Sequence, residues 1–199
     1  MKKKLLVVID MVNGFVNFGA LHDRYINHIT EGIREVILEY LDRGYDVVAF
    51  QDCHELSDTE LQEYPVHCLK GTEECELVPE LQPFAADMNI IFKNTTNGFK
   101  EELFQQFYQE RFKEYEDIVV VGCCTDICVT DFTVSLSDFH RERGIEIPII
   151  VPKDLVETFE SPGHLRSCCS LMAFQKMSCS GVQLIDHYDD LKNEKRFVL

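Results

Sequence analysis

The segment Gly122-Cys123-Cys124-Thr125-Asp126-Ile127-Cys128-Val129 reads as a strand end, a tight turn and a helix start. Thr125 and Asp126 are natural helix caps. Cys128 would then sit at a helix N-terminus, where the positive end of the dipole lowers a thiol pKa and favours the nucleophilic thiolate. The backbone N–H groups of the same turn can hold an oxyanion. The competing reading is a small buried thiol on the core face of the helix. Two charged residues close apolar runs elsewhere: Asp10 follows Leu5-Leu6-Val7-Val8-Ile9, and Lys93 follows Ile90-Ile91-Phe92. Each is either a site residue or a structural charge with its own partner or access to solvent. Asp52 and His54 follow a further apolar run, and His67 lies downstream. Asp and His together suit zinc, iron or manganese. The alternative for that segment is a solvated acidic loop with incidental histidines.

These distant positions meet only if the elements before them converge. Short, β-branched apolar runs occupy residues 5–9, 47–50, 90–92, 118–121, 147–151 and 182–185. Continuous apolar runs of this length suit strands buried on both faces of a parallel sheet. Pro148 marks the fifth run as an edge strand or places the strand start near it. Helical patterns lie between them at about 23–43, 100–113, 127–143 and 165–177, and Gly44 and Gly144 are natural stops. Alternating strands and helices predict an α/β fold: a three-layer α/β/α doubly wound, Rossmann-like sheet of about six mostly parallel strands. Ligands in such sheets bind at the strand C-termini, near the topological switch point. Asp10, Asp52, Lys93 and the turn after Gly122 all belong to that edge. Residues 53–87 break the rhythm with Pro65, Pro79 and Pro83. A stretch this long in a compact domain is functional or disordered, and its aromatic and histidine content favours a folded binding loop.

Composition narrows the function classes. The 199 residues suit one domain, read as 1–199, that can bury roughly 70% of its unfolded surface. A net charge of -16 leaves too few Lys and Arg to displace counterions from nucleic acid. No run approaches the ~18 apolar residues of a membrane span. The stretch after Lys2-Lys3-Lys4 is too short for a secretory signal and ends in Asp10. Nine cysteines, an odd number that includes the adjacent pairs Cys123-Cys124 and Cys168-Cys169, fit a reducing compartment better than a disulfide framework. The expectation is a cytoplasmic protein.

The sequence is similar to the isochorismatase-like cysteine hydrolases, and within them to the nicotinamidase branch. The likeness runs from Leu5 to about Ile185. It rests on the segment from Val121 to Val129, on Val8-Ile9-Asp10-Met11-Val12-Asn13-Gly14-Phe15 with Gly19-Ala20-Leu21, and on Lys93, in the family's order. Asp52-Cys53-His54 and Tyr64-Pro65-Val66-His67-Cys68-Leu69-Lys70-Gly71-Thr72 resemble the branch's metal loop. Val12 stands where the family's first motif often carries Gln, and Phe18-Gly19 replaces a common Gly pair.

The resemblance implies a catalytic triad of Asp10, Lys93 and Cys128. It implies a cis peptide between Cys123 and Cys124, with the N–H groups of Cys124 and Cys128 as the oxyanion hole. Asp52, His54 and His67 would hold a divalent metal, zinc first and iron or manganese as alternatives. Glu60 is the fourth ligand by spacing, with Asp58 and Glu63 as alternatives. Phe15 and Tyr64 would flank a flat heteroaromatic ring. The implied reaction is hydrolysis of nicotinamide to nicotinate and ammonia through a Cys128 thioester. The implied partners are a small carboxamide substrate and further copies of the chain in a homo-oligomer. The alternatives are another hydrolase of the family, acting on a different small amide, an N-carbamoyl compound or isochorismate, and a non-catalytic binding member of the fold. His22, His28, His140 and His187 read as surface or packing residues. His164 follows Pro162-Gly163 near a helix start, and Cys68, Cys75, Cys168, Cys169 and Cys179 carry no evident catalytic partner.

Overall fold

The six apolar runs read from the sequence all become strands. The protein's structure, a computed structural model, describes residues 2–194. The strands are β1 (Lys3–Ile9), β2 (Asp46–Asp52), β3 (Asn89–Lys93), β4 (Tyr115–Cys123), β5 (Ile149–Pro152), β6 (Val156–Glu157) and β7 (Gln183–Ile185). They form one parallel sheet of order β3-β2-β1-β4-β5-β7, with β6 paired to the end of β4. β6 is one strand more than the sequence reading expects. It aligns Val156 and Glu157 with Gly122 and Cys123, and two residues leave no periodicity to read. Pro148 precedes β5, an interior strand, and its carbonyl accepts the Ile118 N–H at 3.0 Å, so it marks a strand start and not an edge.

The helices are α1 (Asn13–Val16), α2 (Thr30–Asp42), α3 (Glu102–Arg111), α4 (Thr130–Arg143), α5 (Arg166–Cys179) and α6 (Asp190–Glu194). Side chains alternate along β1 and feed two cores. Leu6 and Val8 pack with Ile33, Val36 and Ile37 of α2. Leu5, Val7 and Ile9 pack with Phe104 of α3, Phe132 and Leu136 of α4, and Ala173 and Met177 of α5. Leu5, Leu6, Val7 and Val8 are fully buried, each contributing about 1.5–3 kcal/mol of transfer free energy. The result is the expected three-layer α/β/α arrangement. No described helix is long and apolar enough to cross a membrane.

Two helices differ from the periodic pattern at their starts. Residues 23–43 are not one helix. The Asp23 carboxylate accepts the Tyr25 N–H at 2.9 Å and caps a 3₁₀ turn, Arg24–Ile29, before α2 begins. The segment before α4 is a π-type turn, Thr125–Val129, in which the Val129 N–H reaches the Cys124 carbonyl at 3.1 Å. Residues 53–87 hold 3₁₀ turns and no strand, and Cys68, Leu77, Val78 and Leu81 anchor them in the core. The loop is folded, as its composition suggested.

Candidate active site

β1 is adjacent to both β2 and β4, and the chain leaves β1 and β4 toward opposite faces of the sheet. That reversal is the topological switch point, where a cleft opens at the strand C-termini. The polar residues found in the sequence gather there. Asp10 directly follows β1, with φ 52 and its N–H bonded to the Phe50 carbonyl at 3.1 Å. Asp52 and Lys93 end β2 and β3 in register with each other. Gly122 lets β4 lie against β1: its φ is 114, and a Cβ there would stand 2.1 Å from the Ile9 carbonyl oxygen. The peptide between Cys123 and Cys124 is cis. The following π-type turn carries Cys128.

Lys93 is the centre of the arrangement. Its Nζ lies 2.8 Å from Asp10 Oδ2, 2.7 Å from Asp52 Oδ1 and 3.9 Å from Cys128 Sγ. The Asp10 carboxyl and the Cys128 thiol also influence each other electrostatically. All four side chains are buried. Burial works against the Lys93 charge, but the two carboxylates overcome it and hold the ammonium well above its ordinary range. Burial likewise opposes the Asp52 charge, and Lys93 with the hydrogen bonds of His54 and His67 keeps that carboxyl far below its usual range. Asp10 differs from Asp52: burial, reinforced by Asp52, pushes it up to about 6 against the pull of Lys93. Cys128 departs from the sequence reading. Burial pushes the thiol well above its ordinary value, and Lys93 only partly opposes it. The resting pair at neutral pH is therefore a thiol beside a carboxylate with an elevated pKa, which is a proton donor beside a base whose pKa lies near neutral pH.

Next to this cluster, Asp52, His54 and His67 place their ligand atoms within 4.8 Å of one another. His54 Nε2 and His67 Nε2 lie 2.9 and 3.1 Å from Asp52 Oδ2. His67 Nδ1 donates to the Pro65 carbonyl at 2.7 Å, and His54 Nδ1 faces Asp58 Oδ2 at 3.5 Å. Outer partners of this kind orient the imidazoles of a metal site. The donor set fits a divalent metal ion. Glu60 is half-buried and lines the cavity beside His67 but stands outside the three-residue cluster. Asp58 approaches the outer nitrogen of His54, and Glu63 is exposed.

A cavity of about 540 Å³ opens over the thiol, within the range of small-ligand sites. Its lining includes Phe15, Tyr64, Cys124 and Cys128, so both expected aromatic residues reach it. Their rings lie 5.7 and 6.3 Å from the His67 ring. A larger cleft of about 720 Å³ borders Lys93 and Cys53 but does not reach Cys128. The sequence reading missed Thr96, Ile127 and Phe159 in the lining. Thr96 donates to Asp131 at 2.8 Å, and its place in a short polar segment after Lys93 was the available signal.

The isochorismatase domain model matches residues 4–180. The chain is 35% identical over 178 residues to Nicotinamidase 1 of Arabidopsis thaliana, covering 80% of this chain and 71% of that protein. The crystal structure of nicotinamidase PncA from Bacillus subtilis superposes with a TM-score of 0.76 at 24% identity, covering 92% of this chain and 99% of that one. A pyrazinamidase of Pyrococcus horikoshii in complex with zinc gives a TM-score of 0.73 at 21% identity, covering 92% and 98%. These two likenesses are of fold.

Proposed function

The chain belongs to the isochorismatase family, and from that premise we propose that it is a nicotinamidase, an amidohydrolase that converts nicotinamide and water to nicotinate and ammonia. One observation carries the reading. The Cys128 thiol, the Asp10 base and the Lys93 ammonium meet beside an Asp52–His54–His67 donor set, and Cys128 and His67 open onto a cavity lined by Phe15 and Tyr64. The 35% identity to a nicotinamidase supports the substrate.

In the proposed reaction Asp10 takes the Cys128 proton as the sulfur attacks the carboxamide carbon. Lys93 balances the negative charge that builds between sulfur and carboxylate. The oxyanion rests on the N–H groups of Cys124 and Cys128. Asp10 returns the proton to nitrogen, the C–N bond breaks, and ammonia leaves a thioester. Water then attacks the thioester with Asp10 as base, and the C–S bond breaks to give nicotinate and the thiol. Asp52, His54 and His67, with Glu60 as the proposed fourth ligand, would hold a divalent ion, zinc first. When bound, that ion supplies a Lewis-acid contact for the ring nitrogen, direct or through water. Phe15 and Tyr64 orient the ring plane between them.

All nine cysteines are free, which suits the reducing cytoplasm to which we assign the protein. Assembly as a homo-oligomer belongs to the same proposal and is read out by light scattering. The test of function is ammonia release from nicotinamide. Cys128→Ala should abolish it while leaving the thermal unfolding transition in place; turnover near the wild-type rate in that variant would sink the assignment.

A further inference from the structure

A second set of metal-type donors converges away from the triad, where the nucleophile turn meets the start of α5. Asp126, His164 and Cys169 each present one ligand atom, and the three atoms lie within 4.8 Å of one another. All three residues are half-buried.

The hydrogen-bond pattern leaves a charge missing between two of them. His164 Nδ1 lies 3.1 Å from the Phe159 carbonyl oxygen. A carbonyl only accepts, so Nδ1 carries the hydrogen, and a neutral ring then presents a lone pair at Nε2. That Nε2 stands 2.8 Å from Asp126 Oδ2, another acceptor. With Nδ1–H directed at the carbonyl, the close approach of Nε2 and Oδ2 is bridged by a second proton or by a metal ion. Arg166, a neighbouring cation on α5, does not fill the gap. It is engaged by Asp23 at 2.5 Å, by the Thr158 carbonyl at 2.9 Å and by Glu157 at 3.6 Å.

Three features favour a metal over a proton. A ring proton would satisfy His164 and Asp126 and leave the converging Cys169 thiol without a purpose. Both other donors are also fixed from behind: Thr158 Oγ1 donates to Asp126 Oδ1 at 2.6 Å, and Phe159 stacks on His164 at 3.8 Å and 6°. Outer contacts of this kind are what orient metal ligands. Finally, the arrangement repeats that of His67, whose Nδ1 also donates to a backbone carbonyl while its Nε2 faces Asp52 Oδ2.

We propose that Asp126, His164 and Cys169 form a second metal site, for a zinc-like divalent cation, that ties the turn carrying Cys128 to α5. Oxygen, nitrogen and thiolate donors together select zinc over the hard cations, and three protein ligands leave a fourth position for water. Binding replaces the Cys169 proton with the metal and releases that proton to solvent. Asp126 is two residues from the nucleophile, and Phe159 and Ser161 line the substrate cavity, so the ion stiffens one wall of the active site.

Cobalt(II) added to chelator-treated full-length protein tests the site, because the Asp52–His54–His67 set contains no thiolate. The wild type should show a near-ultraviolet thiolate-to-cobalt charge-transfer band. Cys169→Ser should abolish it, and His164→Gln, which removes a ligand, should weaken cobalt affinity by more than the ~10–100-fold typical of losing an outer partner. Cys53→Ser, Cys128→Ser and the double variant His54→Ala/His67→Ala should retain it. Zinc content should fall by one equivalent per chain in Cys169→Ser. If the first metal site fails, the band persists with a single zinc per chain that Cys169→Ser removes, and the second site stands. Absence of the band in the wild type, or its survival in Cys169→Ser, overturns the proposal and leaves an ordinary His164–Asp126 ion pair.

Discussion

Asp10→Asn should make the protein more stable at neutral pH while removing its activity. Asp10 is fully buried, and its carboxyl rises from 3.8 to about 6 because burial outweighs the attraction of Lys93. A raised folded pKa means that the native state binds a proton the unfolded chain releases between those values. Stability from this group is therefore full below about 3.8 and is lost as pH rises through about 6. The shift amounts to about 3 kcal/mol of penalty on the ionised form above that window. Asparagine matches the protonated carboxyl in shape and never takes the charge, and Lys93 keeps Asp52 as its partner at 2.7 Å. Urea unfolding of chelator-treated wild type and variant, at several pH values from 4 to 8, measures the difference. The two should agree near pH 4, and the variant should gain by about 3 kcal/mol at pH 7.5. Ammonia release should fall by at least ~10²-fold, as expected on loss of a general base. A variant less stable than wild type at pH 7.5, or a gap that does not change with pH, would refute the burial argument; normal turnover would refute the base.

The same pKa sets the acid limb of activity. kcat/KM for nicotinamide should drop about tenfold per pH unit below about 6, as Asp10 takes up the proton it must accept, and a flat profile from pH 5 to 8 would contradict the role. Gly122→Ala should destabilise the fold by roughly 3 kcal/mol or more, because φ 114 disfavours a side chain and the new Cβ would overlap the Ile9 carbonyl; chemical denaturation measures it. His67→Ala removes a ligand and should weaken metal binding, measured by competition with a chelating dye, by more than the ~10–100-fold typical of losing an outer partner, and should raise KM for nicotinamide more than it lowers kcat.

The strand ends were legible because a parallel sheet turns a one-dimensional pattern into a location. Each apolar run stops where the strand reaches the edge, so the charged residue that follows it is delivered to the same edge. That rule placed Asp10, Asp52 and Lys93 on one edge; the family resemblance, not the rule, gave them their expected roles. β6 was not, since Val156 and Glu157 are too few to alternate. The break at residues 24–29 was hidden because Ile26, Ile29 and Ile33 keep helical spacing across it; the side chain of Asp23 decides the local geometry. The Asp126–His164 contact spans residues that no spacing rule links and depends on how the chain enters α5. Thiol electrostatics failed for a different reason. The helix-start argument for Cys128 was correct about position, but the sign of the shift follows from burial, which depends on everything packed around it.

That sign has a consequence for how the site can work. A standing thiolate would need the positive charge of Lys93 for itself, yet two carboxylates at 2.7 and 2.8 Å already share that charge. One ammonium does not support three buried anions. The favoured distribution is a neutral thiol with two carboxylates, and in the proposed mechanism sulfur becomes the nucleophile as its proton passes to Asp10. Moving the proton from sulfur to Asp10 conserves the total charge of the cluster and brings it beside Lys93 as sulfur rather than as oxygen. The carbonyl that receives the sulfur then carries the charge toward the N–H groups of the turn. Activation by proton transfer within the cluster, and not by a lowered thiol pKa, is thus what burial of these four side chains permits. Asp52 serves both halves of the site, with one oxygen on Lys93 and the other facing His54 and His67. A cation bound on its histidine side would draw negative charge away from Lys93 and leave more of the ammonium's field for sulfur and Asp10. Through that shared carboxylate, the metal donors and the proton-transfer pair act on one electrostatic balance.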